Sequence, residues 1–210
     1  MQSVDNKVIK RIYGKKRGWV FTRSHFRDLG GAISIGKALF SLTNEKRIRR
    51  IARGLYDYPR KHPDLGDLAP DPAAVVKALS EGRGIRVQPS GAYALNLLGL
   101  TTQVPSKVVY LTDGGSRRID IGTQTIELRR TTPRNMALAG QTPGLVIQAL
   151  RHLGQQHVTE EIVERLRVAL SDEDRGKLVR ARRYAPVWMH RIFDRIAADL
   201  PQAPDTESSP

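Results

Sequence analysis

"NEKRIRRIARGLYDY", residues 44–58, crowds Lys46, Arg47, Arg49, Arg50 and Arg53 into a stretch that also holds Ile48, Ile51, Leu55, Tyr56 and Tyr58. A disordered basic tail has no use for so many large apolar and aromatic side chains, and a buried strand does not accommodate so many guanidinium groups. The mixture describes a folded edge that packs one side and offers the other to something acidic. With imperfect alternation in its first half and Arg53-Gly54 at its centre, the stretch reads as a β-hairpin turning at those two residues.

Working outward toward the N-terminus, "DNKVIKRIYG" (5–14) places Val8, Ile9, Ile12 and Tyr13 at helical spacing and stops at Gly14. "WVF" (19–21) is a short apolar strand. Thr22 then suits the N-cap of a second helix, "RSHFRDLG", with Phe26 and Leu29 inward and Gly30-Gly31 ending it. A third helix within about 33–45 carries Ile35, Leu39 and Leu42 on its inner side. Helix, strand, helix, turn, helix, hairpin is the order of a winged helix-turn-helix, and the hairpin is its wing. Ile48, Ile51 and the tyrosines hold the wing down, leaving Arg47, Arg49, Arg50 and Arg53 to face phosphates. A small helical domain with a solvated basic hairpin is the blander reading of the same pattern.

Toward the C-terminus, "PRKHPDLGDLAPDP" (59–72) has four prolines and no periodicity and reads as a linker or extended arm. Asp71-Pro72 caps and starts a helix through Leu79, and "SGAYALNLLG" (90–99) reads as a helix capped by its serine. "KVVYLTD" (107–113), "SRRIDIG" (116–122) and "QTIELRRT" (124–131) predict three strands, and the glycine turns between them predict a meander. Helices are expected from Thr142-Pro143 to Gly154, over 159–170, from Ser171 to about Arg183, and after Pro186. "PQAPDTESSP" (201–210) has nothing to bury and is expected to be disordered. The fold class expected is α+β: a winged helix-turn-helix over 1–61, then an α+β module with C-terminal helices over 62–200.

The charge is placed unevenly. Of the formal net charge of +14, residues 1–61 carry 16 Lys or Arg against 4 Asp or Glu, and the remainder 19 against 17. Nearly all the excess lies on one third of the chain, which is the footprint of a polyanion partner, most often nucleic acid. A ribosome-associated basic extension or a patch for anionic lipid is the alternative. No apolar run is long enough to span a bilayer, Lys7, Lys10 and Arg11 interrupt any signal-peptide core, and there is no cysteine for a disulfide or a thiolate metal site. A cytoplasmic protein is expected.

Three long motifs, "KRIRRIARGLYDYPR", "QPSGAYALNLLGLTTQVPSKVVYLTDG" and "LRRTTPRNM", resemble those of AbiEi-type antitoxins, in the branch of short bacterial proteins with an N-terminal winged helix; the likeness runs from about residue 5 to 200. The resemblance implies the antitoxin of a type IV toxin–antitoxin pair, encoded beside a nucleotidyltransferase-like toxin, that represses its own operon by binding repeats in double-stranded promoter DNA. It further implies that the toxin is countered without a stable complex. One departure stands out: relatives carry polar residues at the start of the third helix, whereas "GGAISIGK" brings Ile35 and Gly36 there, and a mid-helix glycine costs about 1 kcal/mol against alanine.

The DNA-facing candidates are Thr22 and Arg23 at the second helix, Ser34, Lys37, Ser41 and Asn44 on the outer face of the third, and Lys46, Arg47, Arg49, Arg50 and Arg53 on the wing. No cofactor, metal site or enzymatic activity is expected. Gly115-Ser116 followed by Asp120 is too close, and lacks the second carboxylate, for a nucleotidyltransferase motif. His152 and His157 lack an acidic third ligand at a useful spacing. Glu160, Glu161 and Glu164 suit a solvated helix start, and no phosphate loop or nucleophile elbow occurs. Two other functions compete: an antitoxin that clamps its toxin directly, and an RNA- or ribosome-binding protein using the same basic patch.

Overall fold

Local capping signals set the first helix. In the computed structural model, which describes residues 3–200, Ser3 caps α1 (Val4–Gly14), its hydroxyl accepting from the Asn6 amide at 3.3 Å. Val8 and Ile12, one turn apart, are buried. The chain crosses to β1 (Val20–Thr22) through Gly18, whose φ of 94° only glycine adopts freely and whose amide donates to the Tyr58 carbonyl at 2.6 Å.

The expected second helix is a single 3-10 turn, Arg23–Phe26. The Thr22 amide donates to His25 Nδ1 at 3.1 Å, and the threonine hydroxyl lies 2.6 Å from Ser24 Oγ. The first of these bonds satisfies the N-cap amide through a nearby side chain. Phe26 still turns into the core as the period requires. After α2 (Ala32–Asn44), Lys46 takes φ 56° to reverse the chain into β2 (Arg49–Ala52). Gly54 (φ 76°) then turns it into β3 (Leu55–Asp57). The strands order β1-β3-β2, all antiparallel, with a bulge between Arg50 and Ala52 that accounts for the imperfect alternation of the hairpin. Val8, Ile12, Phe21, Phe26, Ile35, Leu39, Leu42, Ile48 and Tyr56 form one core, and Trp19 packs at a tilt on Phe21 and meets Phe26 edge-on. This is the winged-helix order.

The proline-rich segment contains a two-residue ladder, β4 (Lys61–His62) with β5 (Gly66–Asp67), where a linker or extended arm was expected. Asp71 Oδ1 accepts from the Ala73 amide at 3.0 Å and Pro72 opens α3 (Pro72–Arg83), which Gly84 ends in the left-handed conformation. α3 packs against β1 and the 3-10 turn. Gly82 permits the approach: a Cβ there would lie 2.6 Å from Thr22 Oγ1 and 2.9 Å from Ser24 Oγ.

Contacts divide the chain into two compact units, residues 1–87 with 106–130, and residues 88–105 with 131–210. The division does not fall at residue 61, because α3 is packed onto the elements before the prolines and the segment 106–130 belongs with them. The chain passes from the first unit to the second along β6 (Val87–Ser90). It returns as β7 (Lys107–Thr112), β8 (Arg117–Ile121) and β9 (Gln124–Arg130). These are not a meander: β9 lies between β7 and β8, parallel to β7 and antiparallel to β8. The connection leaving β7 is bent aside, since Asp113 accepts from the Arg86 amide and guanidinium, each at 2.9 Å, and Gly114 sits where a Cβ would be 2.8 Å from Ile85. The adjacent position is left for the strand after the next glycine turn.

The second unit is helical. α4 (Ala92–Leu97) starts after Gly91, at φ 64°, rather than at the expected Ser90 cap. α5 (Pro133–Met136), α6 (Thr142–Leu153), α7 (Glu160–Ala169), α8 (Asp172–Arg180) and α9 (His190–Ile196) follow. Thr159 and Ser171 cap α7 and α8 through their hydroxyls, and Val146, Leu150, Val163, Leu166, Leu178, Met189, Phe193 and Ile196 make the core. Gly144 lets α6 pass the Leu138 carbonyl, 2.3 Å from where a Cβ would stand. Fold class is thus α+β. No helix among the described residues is long and apolar enough to cross a membrane. The tail expected to be disordered, 201–210, lies outside the described residues.

Candidate nucleic-acid interface

α2 is held by its inner face and open on its outer one. Ile35, Ala38, Leu39 and Leu42 are buried; Ser34, Lys37, Ser41 and Asn44, the positions expected to face outward, are all exposed. Ser41 Oγ donates to Glu45 Oε1 at 2.8 Å, so this hydroxyl is already engaged. Two residues not foreseen complete the face: Ile33 and Phe40, 77% and 68% exposed, flank Lys37 at helical spacing. Apolar groups there suit contact with a thymine methyl or a sugar edge.

Gly36, the departure noted in the sequence, has a structural counterpart. A Cβ at that position would lie 3.6 to 3.8 Å from the guanidinium carbon and nitrogens of Arg23. Arg23 therefore reaches from the 3-10 turn across the start of α2, where Ala32, Ile33, Gly36, Lys37 and Phe40 line a shallow groove with it. Thr22 is half-buried and bonded within the turn through Ser24 and His25.

The wing residues separate into two kinds. Arg49 is committed inward: Nε and one terminal nitrogen bind the buried Asp57 carboxylate at 3.1 and 2.6 Å, and the same nitrogen donates to the Leu68 carbonyl at 2.8 Å. The hydrogen bond to Asp57 raises the Arg49 pKa against the opposing effect of burial. Arg47 donates to the Tyr13 hydroxyl at 2.8 Å and lies over the Tyr13 ring, with Glu45 3.4 Å away. Lys46, Arg50 and Arg53 are exposed, and Arg53 offers its carbonyl to Arg117 at 3.0 Å. The expectation that Arg47 and Arg49 are as open as their neighbours is therefore corrected: alternation within the hairpin turns Arg49 toward Asp57, its partner across β2 and β3.

Beside the wing lies a cleft of about 410 Å³ lined by six arginines, Arg23, Arg27, Arg50, Arg53, Arg83 and Arg117, together with Thr22 and Ser24 and without a carboxylate. Arg27, Arg83 and Arg117 were not singled out from the sequence. They are scattered over some ninety positions with no common spacing, and only the packing of α3 and β8 onto the winged-helix elements assembles them.

The chain belongs to the DUF6088 family, a family of unknown function, whose pattern matches residues 7–178. The match runs from within α1 through the rest of the winged-helix segment and the central sheet into α8. No curated protein matches the chain.

Proposed function

We propose that the protein is a DNA-binding antitoxin of the type IV class that represses its own operon. The observation that carries the DNA-binding reading is the free outer face of α2. In a winged helix this element enters the major groove, where base edges are distinguishable. Here it offers Ser34, Lys37 and Asn44, and the wing adds two exposed arginines, Arg50 and Arg53. Lys37 is the base-reading candidate, since an ammonium group donates to guanine acceptors. Arg50, Arg53 and Lys46 meet backbone phosphates, Arg23 secures the start of α2, and Arg47 and Arg49 hold the wing to its domain. The antitoxin reading rests on the three motifs that resemble AbiEi-type antitoxins. In that reading the partner is a nucleotidyltransferase-like toxin, countered without a stable complex.

The test is equilibrium binding of the full chain to three probes of equal length: the duplex upstream of its own reading frame, a shuffled duplex and a single-stranded RNA. Preference for the upstream duplex supports the proposal. Equal affinity for both duplexes removes the repressor reading, and preference for RNA favours the ribosome- or RNA-binding alternative. Co-expression with the product of the neighbouring frame tests the antitoxin part: growth rescue without co-purification is expected, and rescue with stable co-purification supports direct clamping instead.

A further inference from the structure

The six-arginine cleft is the wrong shape and chemistry for reading bases. It is concave, and its volume of about 410 Å³ falls in the range of small-ligand pockets, about 300–1,000 Å³. Its walls come from four places: the 3-10 turn, the wing, the last residues of α3 and the first residue of β8. Two other arginines of this unit are neutralised at short range, Arg11 by Asp28 and Arg49 by Asp57, both at 2.6 Å. Around the cleft no lining residue is acidic. Arg117 is half-buried, and burial, followed by the positive charge of Arg83, pushes its pKa down. Gathering like charges around one cleft, with Arg117 half-buried among them, is costly unless an anion joins them.

We propose that this cleft is a phosphate-binding site, suited to a run of phosphoryl groups such as the polyphosphate of a nucleotide. Guanidinium forks match phosphate oxygens two at a time. The hydroxyls of Thr22 and Ser24, bonded to each other at 2.6 Å, place polar groups at one wall. Gly82 keeps the α3 backbone against those hydroxyls, where any side chain would intrude, and the bond from Arg117 to the Arg53 carbonyl fixes one guanidinium in place. The site does not depend on the DNA-binding reading. Where that reading holds, Arg50 and Arg53 serve both surfaces, and an occupied cleft withdraws them from the duplex backbone.

The experiment titrates the full chain with inorganic triphosphate and with ATP by calorimetry, against sodium sulfate at matched ionic strength, in the parent protein and in Arg83→Gln, Arg117→Gln and Arg117→Lys. Saturable triphosphate binding is expected, weakened about tenfold or more in each glutamine variant, the worth of a charge-assisted hydrogen bond. Arg117→Lys should recover part of the loss. Arg83 is exposed with no carboxylate partner among the described residues, so Arg83→Gln reads the site even if Arg117→Gln disturbs the fold. Tighter binding of ATP than triphosphate identifies a nucleotide. No triphosphate binding, but weaker binding of any duplex by Arg83→Gln, identifies the phosphates as those of a DNA backbone. Triphosphate behaving as sulfate does, with Arg83→Gln unchanged on every probe, overturns the proposal. The triphosphate arm needs no operator, so it stands whatever the promoter experiment returns.

Discussion

Both compact units pair arginines with carboxylates, but the first also gathers a cluster of arginines without any. In the helical unit Arg165, Arg167, Arg175, Arg182 and Arg195 each reach a carboxylate: Glu161, Glu164 with Asp199, Asp172, Asp194 and Glu160 respectively. These pairs join neighbouring turns or neighbouring helices. In the first unit, Arg23, Arg27, Arg50, Arg53 and Arg83 have no such partner among the described residues and converge around one cleft and one helix face. Composition alone marks where positive charge is abundant. Whether that charge is available depends on whether a carboxylate stands within reach, and this is decided residue by residue. Arg49 and Arg50 make the same contrast between adjacent positions.

The sharpest way to break the contrast is to exchange those neighbours. Arg49→Ala leaves the buried Asp57 carboxylate without its guanidinium, and should destabilise the protein by about 3 kcal/mol, the low end for stripping one partner from a buried pair, because Arg49 keeps some water. Arg50→Ala should leave denaturant stability unchanged while weakening binding to every duplex and lowering the salt slope by about 0.9. Urea unfolding and salt-dependent anisotropy on both variants decide it. Equal stability losses would mean that the two arginines do not differ in kind.

A second test concerns the assembly of the cleft. Gly82→Val sets a branched side chain where Thr22 Oγ1 and Ser24 Oγ already stand, and overpacking of this kind costs about 1–3 kcal/mol. A fall in melting temperature is expected, together with loss of triphosphate binding. An unchanged melt would show that α3 does not need its close approach to the 3-10 turn.

The helix face offers a test of similar size but different readout. Lys37→Ala should cost about 1–3 kcal/mol on the specific operator and much less on random duplex, whereas Arg50→Ala should weaken both. Equal loss on the two probes would make Lys37 a phosphate contact and leave sequence preference to DNA shape.

The smallest effect is electrostatic. The Arg11 guanidinium, by hydrogen bonding, holds Asp28 from 3.8 down to about 2. A depressed carboxylate stabilises the fold above its unfolded pKa and loses that contribution as pH falls through the folded value, here between about pH 4 and pH 2. Asp28→Asn should therefore shave a little off the acid sensitivity of the melting temperature in that window and nothing above it. The pair is at the surface, where such bridges are worth little, so a large shift in the variant would point to a role for Asp28 beyond this contact.

Much of the local structure was legible in the residues. Asp71-Pro72 and Ser171 cap helices where their chemistry says they should, and Arg53-Gly54 turns the wing. Ile35, Leu39 and Leu42 turn inward, leaving Ser34, Lys37, Ser41 and Asn44 outside. These features depend on bonds within a turn or two of chain and on the 3.6 and 2.0 periods, all of which a sequence carries directly. The 3-10 turn in place of a helix at 23–26 was not legible, because it follows from the particular bonds of Thr22, Ser24 and His25. Nor was the placing of β9 between β7 and β8, which rests on parallel pairing between strands that are not consecutive in the chain. The six-arginine cleft belongs with these. Its members have no shared spacing, and an ion pair such as Arg49 with Asp57 is chosen by cross-strand register. The sequence by itself determined that one third of the chain is basic and shaped as a winged helix; only long-range packing decided which of those charges stay free, because neutralisation acts across a few ångströms of space rather than along the chain.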